Sequence, residues 1–247
     1  MSSKEAIQAG PVRHSAPARL KKILRSIPHL RENVYLFKAL PGLLSSLAHP
    51  AQIADARDYQ ERQDAWGYSS AWGKNHLKVL IEMLDRAGGT ANVGRALDVG
   101  CGEGYVSESV APLCDYLLAT EVVAVALNRA RERCSRFPQV HFAERNLLTD
   151  LPLGRYDLIL LMGIIECFNL PRELLVARSK IAKMLEPGGL LLTTATLQHE
   201  VFDTAWWTKW LPRGAQRIAE FIAQDPALVL VDTFVTPTHQ FVTYRRK

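Results

Sequence analysis

The chain has 247 residues, 48% of them hydrophobic and 22% charged, with 15 Gly and 13 Pro. That suits one sizeable core with an appendage and excludes wholesale disorder, collagen-like repeats and a disulfide-knotted miniature fold. The net charge of +5 is unevenly placed: residues 1–50 hold eight Lys/Arg against Glu5 and Glu32, and the other 197 residues carry 22 basic and 23 acidic side chains. The body is therefore neutral, which argues against a basic groove for nucleic acid.

In chain order, residues 1–17 lack apolar periodicity. Leu20, Ile23, Leu24 and Ile27 then recur at helical spacing with Lys21, Lys22 and Arg25 between them, a basic amphipathic helix stopped near Pro28. Val34, Phe37 and Leu40, then Leu43, Leu44 and Leu47, continue helical pieces around Pro41-Gly42. We read residues 1–57 as a basic helical extension that either packs on the body or makes peripheral contact with a membrane surface or partner. Residues 58–94 form a segment rich in aromatic residues followed by a helix that Asn75 could cap and Gly88-Gly89 would end.

From residue 95 onward short apolar runs alternate with helical stretches. Strands are predicted at Arg95–Val99, Tyr116–Glu121, Val140–Ala143, Tyr156–Met162, Leu190–Thr196, Leu228–Val235 and Gln240–Arg245. The helical stretches are Tyr105–Leu113, Ala124–Arg136, Arg172–Leu185 and Ala215–Gln224. Uninterrupted apolar strands such as Leu158–Met162 mark a parallel sheet covered on both faces. Thr236-Pro237-Thr238-His239 is too short for a crossover helix, so the last two strands must form an antiparallel hairpin. The expected fold is α/β: one Rossmann-like three-layer α/β/α domain over 95–247, with a mostly parallel seven-stranded sheet and an antiparallel last strand.

The strongest chemical signal is Asp98-Val99-Gly100-Cys101-Gly102-Glu103-Gly104-Tyr105, where a strand runs through a glycine loop into a helix. Glycines let the backbone turn sharply and approach a ligand, and a helix N-terminus offers free N–H groups to negative charge. A dinucleotide loop would place its third glycine one residue later, where Tyr105 stands. The acid-x-Gly-x-Gly-x-Gly spacing instead resembles motif I of class I S-adenosylmethionine methyltransferases. Twenty-three residues after Asp98, at the tip of the next strand, stands Glu121, followed by Val122. A carboxylate there can accept both hydroxyls of a ribose.

The resemblance implies further roles. Glu144-Arg145-Asn146-Leu147 occupies the place of the adenine-framing residues, with Asn146 where an acid is usual. An amide there can accept from the adenine amino group or donate to a ring nitrogen. Met162 ends the strand that faces the transferred methyl, and Glu186-Pro187-Gly188-Gly189 looks like the turn into strand five. Asp64-Ala65-Trp66-Gly67-Tyr68-Ser69-Ser70 ahead of the core loosely resembles the nodulation protein S type, which acts on amino sugars and related molecules. In that family the segment folds over the cofactor, so Trp66, Tyr68 and Trp72 become lid or substrate residues.

Together these motifs imply an S-adenosylmethionine-binding core with S-adenosylhomocysteine as product, and methyl transfer to a nitrogen or oxygen of a small-molecule or sugar-type acceptor. The alternatives are a protein or RNA methyltransferase that docks through its basic arm, and a binding module without catalysis. Cofactor contacts fall on Asp98, Gly100, Cys101, Gly102, Gly104, Glu121, Val122, Asn146, Leu147 and Met162. A base is needed only where the acceptor carries a proton. Glu166, His199, Glu200 and His239 are the candidate bases at the strand ends; Glu166 and His199 are taken as catalytic, and His239 in the final hairpin is placed with the substrate and lid residues.

Absences narrow the chemistry. No (Asp/Asn)-Pro-Pro-aromatic motif follows strand four, Cys167 follows Glu166 rather than a proline, and no Asp-Asp pair suggests catalytic magnesium. Four cysteines without zinc spacing read as reduced thiols, so no metal is expected. The longest strongly apolar run, Leu158 to Ile165, falls short of the ~18 residues of a membrane span, and the N-terminus lacks a secretory core, so the location expected is cytoplasmic.

Overall fold

The computed structural model describes residues 58–91, 93–150, 154–168, 171–197 and 214–247. The extension expected over 1–57 and the candidate bases His199 and Glu200 lie outside the described residues.

Helix α1 (Ala71–Arg86) opens the described fold. Its N-cap is Ser70, whose hydroxyl accepts the Gly73 N–H at 3.2 Å, and not Asn75 five positions later. The first turn can form this early because Gly73 has no Cβ; one added there would stand 2.2 Å from the Tyr68 Cα. The helix ends as expected, with Gly88 at φ +71° and the Gly89 N–H closing on the Leu84 carbonyl at 2.7 Å.

There follow β1 (Val93–Val99), α2 (Tyr105–Val110), β2 (Cys114–Glu121), α3 (Ala124–Arg133), β3 (Val140–Glu144) and β4 (Tyr156–Met162). After them come α4 (Pro171–Met184), β5 (Leu185–Thr196), α5 (Ala215–Ala223), β6 (Leu228–Val235) and β7 (His239–Arg246). The seven strands form one sheet in the order β3-β2-β1-β4-β5-β7-β6. The first five are parallel, and β7 runs antiparallel to both β5 and β6. β5 starts at Leu185 rather than Leu190, because Glu186 to Gly189 make an irregularity inside the strand instead of a turn before it.

Successive residues of the central strands feed two different cores, which is why their hydrophobic runs do not alternate. Leu97, Ile159, Leu161 and Leu191 pack on one face with Leu174 and Ile181 of α4 and Ile218 and Ile222 of α5. Ala96, Leu158, Leu160 and Leu192 pack on the other with Leu80 and Met83 of α1 and Val106 and Val110 of α2. β1 has β2 on one side and β4 on the other, so the chain order reverses there. The carboxyl ends of β1, β2 and β4 then flank one crevice, the usual ligand position in a doubly wound sheet. Among the described residues no helix is long and apolar enough to cross a membrane.

Candidate functional site

That crevice is a cavity of about 560 Å³. Its floor is the loop after β1, where Gly100 and Gly102 hold φ of +69° and +54°. Gly104, at φ +82°, starts α2 and packs against Ala130; a Cβ there would lie 2.9 Å from the Ala130 Cα, and Gly104 is not a cavity-lining residue. Its glycine serves close helix packing.

Two buried carboxylates frame the loop. Asp98, 1% exposed, accepts a hydrogen bond from the Ser107 hydroxyl on Oδ2 at 2.6 Å. Burial pushes its carboxyl up to about 7 against the pull of the Ser107 hydrogen bond, and the nearby Glu121 adds to the rise. Glu121 accepts the Gly102 N–H on Oε2 at 2.9 Å, and the Val122 and Val123 N–H groups on Oε1 at 2.6 and 3.0 Å. Burial also raises this carboxyl, although the three backbone donors oppose the shift. Three backbone bonds leave Oε2 with a lone pair for one further donor. Neither acid makes an ion pair among the described residues.

Residues 58–70 close over the loop through contacts that run far along the chain. Tyr59 lies so near Gly102 that a Cβ on the glycine would stand 2.5 Å from the phenol oxygen, which itself accepts the Trp66 indole N–H at 2.7 Å. Glu103 accepts the Ala65 N–H at 3.2 Å and pairs with Arg129 at 2.7 Å, while the same Arg129 nitrogen donates to the Arg62 carbonyl at 3.0 Å. Asp64, at φ +51°, folds the segment by accepting the Tyr68 and Ser69 N–H groups at 2.7 and 2.9 Å and the Ser69 hydroxyl. Tyr68 then stacks on Tyr105 with centroids 5.6 Å apart at 18°.

The opposite wall is aromatic. Trp72 and the buried His76 project from α1, and their rings approach His239 at 5.4 and 5.0 Å. Burial drives the His76 imidazole down to about 3, with His239 adding to the fall, so its ring is neutral at pH 7. His239 is pushed down by burial while Glu166 pulls it back up, and the net shift is downward. Glu166 takes the Thr196 N–H and hydroxyl on Oε1 at 2.6 and 2.5 Å.

Of the residues expected at the cofactor, Asp98, Gly100, Cys101, Gly102, Glu121, Val122, Asn146, Leu147 and Met162 line this cavity, as do Trp66, Tyr68, Trp72, Glu166 and His239. The Asn146 carbonyl oxygen accepts the Leu148 N–H at 2.8 Å, so its amide NH₂ is the group left to donate. Tyr59, His76, Glu103 and Thr196 also line the cavity, and none was expected to. For Glu103 the signal was its place between two loop glycines. His76 sits four residues after Trp72, hence on the same helix face.

A doubly wound sheet whose last strand is reversed, with a glycine loop and an acid at the ends of its first two strands, defines the class I methyltransferase fold. Solved structures agree. The N-methyltransferase NodS from Bradyrhizobium japonicum WM9, in complex with S-adenosyl-L-homocysteine, superposes with a TM-score of 0.66 at 19% identity over 80% of this chain and 98% of that one. Magnesium protoporphyrin IX methyltransferase from Synechocystis PCC 6803 with bound S-adenosylmethionine gives 0.55 at 15% identity over 70% and 79%.

The family model for nodulation protein S (NodS) matches residues 53–210, and the chain belongs to that family. Nodulation protein S of Rhizobium tropici is 29% identical over 119 residues, 48% of each chain. A ubiquinone biosynthesis O-methyltransferase of Xanthomonas oryzae pv. oryzae (strain PXO99A) is 32% identical over 158 residues, 59% of this chain and 62% of that one. The chain thus spans about half the length of the Rhizobium protein and 61% of its Bradyrhizobium diazoefficiens counterpart.

Proposed function

We propose that the chain is a methyltransferase that uses S-adenosylmethionine to methylate a nitrogen or oxygen of a small-molecule or sugar-type acceptor. The observation that carries this is the pair of buried carboxylates, Asp98 and Glu121, each raised by burial and without a cation among the described residues. Such groups call for a ligand that brings positive charge and hydroxyl donors to the glycine loop. S-adenosylmethionine meets that demand with an ammonium, a sulfonium and two ribose hydroxyls.

In this reading Glu121 and Asp98 hold the polar ends, Gly100 and Gly102 let the backbone come close, and the Asn146 NH₂ donates to the base. Leu147 and Met162 supply apolar contact. When bound, the cofactor supplies an already activated methyl carbon. The protein's share is then to position the acceptor and exclude water. Trp66 and Tyr68, pinned through Tyr59 and Glu103, roof the cavity for that purpose. The rings of Tyr68, Trp72 and His239 offer flat faces suited to a sugar or aromatic ring. The names of the relatives, N-methyltransferase in one and O-methyltransferase in another, support a small acceptor of either heteroatom.

Calorimetric titration with S-adenosylhomocysteine beside NADH tests the proposal. Micromolar binding of the first and none of the second is expected, with weaker binding in Asp98→Ala and Glu121→Ala. Heat from NADH, or full-strength binding in both variants, would overturn it.

A further inference from the structure

We infer that His239 takes the proton from the methyl acceptor, and that Thr238 and Trp72 are positioning residues that present its Nε2 to the cavity. The inference rests on the methyltransferase reading and adds the group that handles the acceptor's proton.

It begins with the other titratable groups of the wall. Asp98 and Glu121 are engaged at the glycine loop by Ser107 and by backbone N–H groups. Glu103 is held by Arg129 and the Ala65 N–H. Burial keeps the Tyr68 hydroxyl and the Cys101 thiol protonated, raising both far above their usual ranges. His76 is 3% exposed and closed in by the rings of Tyr68, Trp72, His239 and Phe241. Glu166 already carries two donors from Thr196 on one oxygen, and a carboxylate is a weaker proton acceptor than an imidazole.

His239 has the geometry these groups lack. It is the first residue of β7 and pairs in register with Thr196 of β5, which sets it beside the Thr196–Glu166 contact. Its Nδ1 lies 2.9 Å from the Thr238 hydroxyl, and that oxygen accepts the Trp72 indole N–H at 3.2 Å. A hydroxyl oxygen has two lone pairs. With one filled by Trp72, the second is open to the Nδ1–H of His239, and in that tautomer Nε2 keeps its lone pair for the acceptor. Trp72 stands in the first turn of α1, next to the lid, and its ring lies 6.0 Å from that of Tyr68.

The charges around the ring suit the task. Glu166 from the loop after β4 favours the imidazolium, burial opposes it with the larger effect, and His76 from α1 is neutral near pH 7 and adds no charge beside the ring. The resting ring is therefore neutral at pH 7, and the imidazolium it forms meets a carboxylate. As the heteroatom's lone pair becomes its bond to the methyl carbon, the carbon–sulfur electron pair stays on sulfur and the acceptor's proton moves to Nε2. One positive charge passes from sulfonium to imidazolium, which later returns the proton to solvent. The acceptors that fit are amines and hydroxyls with a proton to lose, and turnover rises with pH through a midpoint below 6.5 and then levels off.

The test uses the full chain labelled with ¹⁵N-histidine, with His239 assigned by its loss from the spectrum of His239→Asn. Long-range ¹H–¹⁵N spectra without cofactor are expected to show a neutral ring at pH 7 with Nδ1 protonated and Nε2 bare. Trp72→Phe and Thr238→Val should each shift it toward the Nε2–H form. A wild-type ring protonated on Nε2 would overturn the proposal. With radiolabelled S-adenosylmethionine and D-glucosamine or catechol as acceptor probes, His239→Asn should lose about 100-fold or more in kcat and keep its Kd for S-adenosylhomocysteine within about threefold. An undiminished kcat would equally overturn it. A wild type that fails to bind S-adenosylhomocysteine would remove the methyltransferase reading instead, and the tautomer would still judge His239.

Discussion

Asp98→Asn should make the protein more stable above pH 7 while weakening its ligand site. In the folded state the carboxyl is raised from 3.8 to about 7, chiefly by burial. An acid with a raised folded pKa binds its proton more tightly folded than unfolded, so the stability it confers is complete below 3.8 and lost as pH rises to about 7. At ~1.4 kcal/mol per unit, the ionised form costs about 4 kcal/mol there. Asparagine removes that cost, in which the Ser107 bond is already counted, but buries an NH₂ in place of one carboxylate oxygen, about 2 kcal/mol. The net gain, about 2 kcal/mol, corresponds to roughly 4–8 °C in Tm for a domain of this size. Thermal unfolding of both proteins across pH checks it: the wild type should lose Tm as pH rises to neutrality, the variant should be flatter, and the two curves should separate most above pH 7. Calorimetry with S-adenosylhomocysteine should show the opposite order, weaker binding in the variant, a trade of site function for stability. A variant with lower Tm above pH 7, or with an unchanged slope, would refute the reasoning.

Three other substitutions probe the loop and its roof. Gly102→Ala puts a Cβ 2.5 Å from the Tyr59 hydroxyl on a backbone at φ +54°, costing about 1–2 kcal/mol in conformation alone; it should release the 58–70 segment to protease and cut affinity for S-adenosylhomocysteine. Glu121→Gln turns an NH₂ toward at least one of the three N–H donors, an unmet contact of about 1–3 kcal/mol, so calorimetry should show Kd higher by roughly tenfold or more, and an equal Kd would remove Glu121 from the site. Glu103→Gln keeps the acceptor for the Ala65 N–H but loses the charge on Arg129, whose side chain is 24% exposed. We expect about 1–2 kcal/mol less stability in urea unfolding and faster cleavage within 58–70; equal cleavage rates would show that the pair does not hold the lid.

The features legible in the sequence were those set by neighbours along the chain. Leu158-Ile159-Leu160-Leu161 announces a strand buried on both faces, and the three residues between β6 and β7 permit only a hairpin. The glycine loop is equally local: three glycines at every second position need positive φ, and each has it. The boundary errors have local causes too. Asn75 has the side chain of a good cap, but the missing Cβ at Gly73 lets the helix begin at Ser70.

What stayed hidden depends on residues that meet only after folding. Ala65 finds Glu103 38 positions away, and Trp72 finds Thr238 166 positions away. No spacing rule encodes such pairs, because the sheet order, not the sequence separation, brings them together. His76 shows the consequence. On the helical wheel it shares the Trp72 face, and a histidine there reads as half-exposed polarity. Yet reversal of β7 carries Phe241 and His239 under α1 and buries the ring, which drives its imidazole down to about 3. A neutral His76 lets a second histidine sit 5.0 Å away without charge repulsion at pH 7. The reversed strand therefore supplies His239 to the wall, and its burial under α1 sets the charge state in which His239 can work.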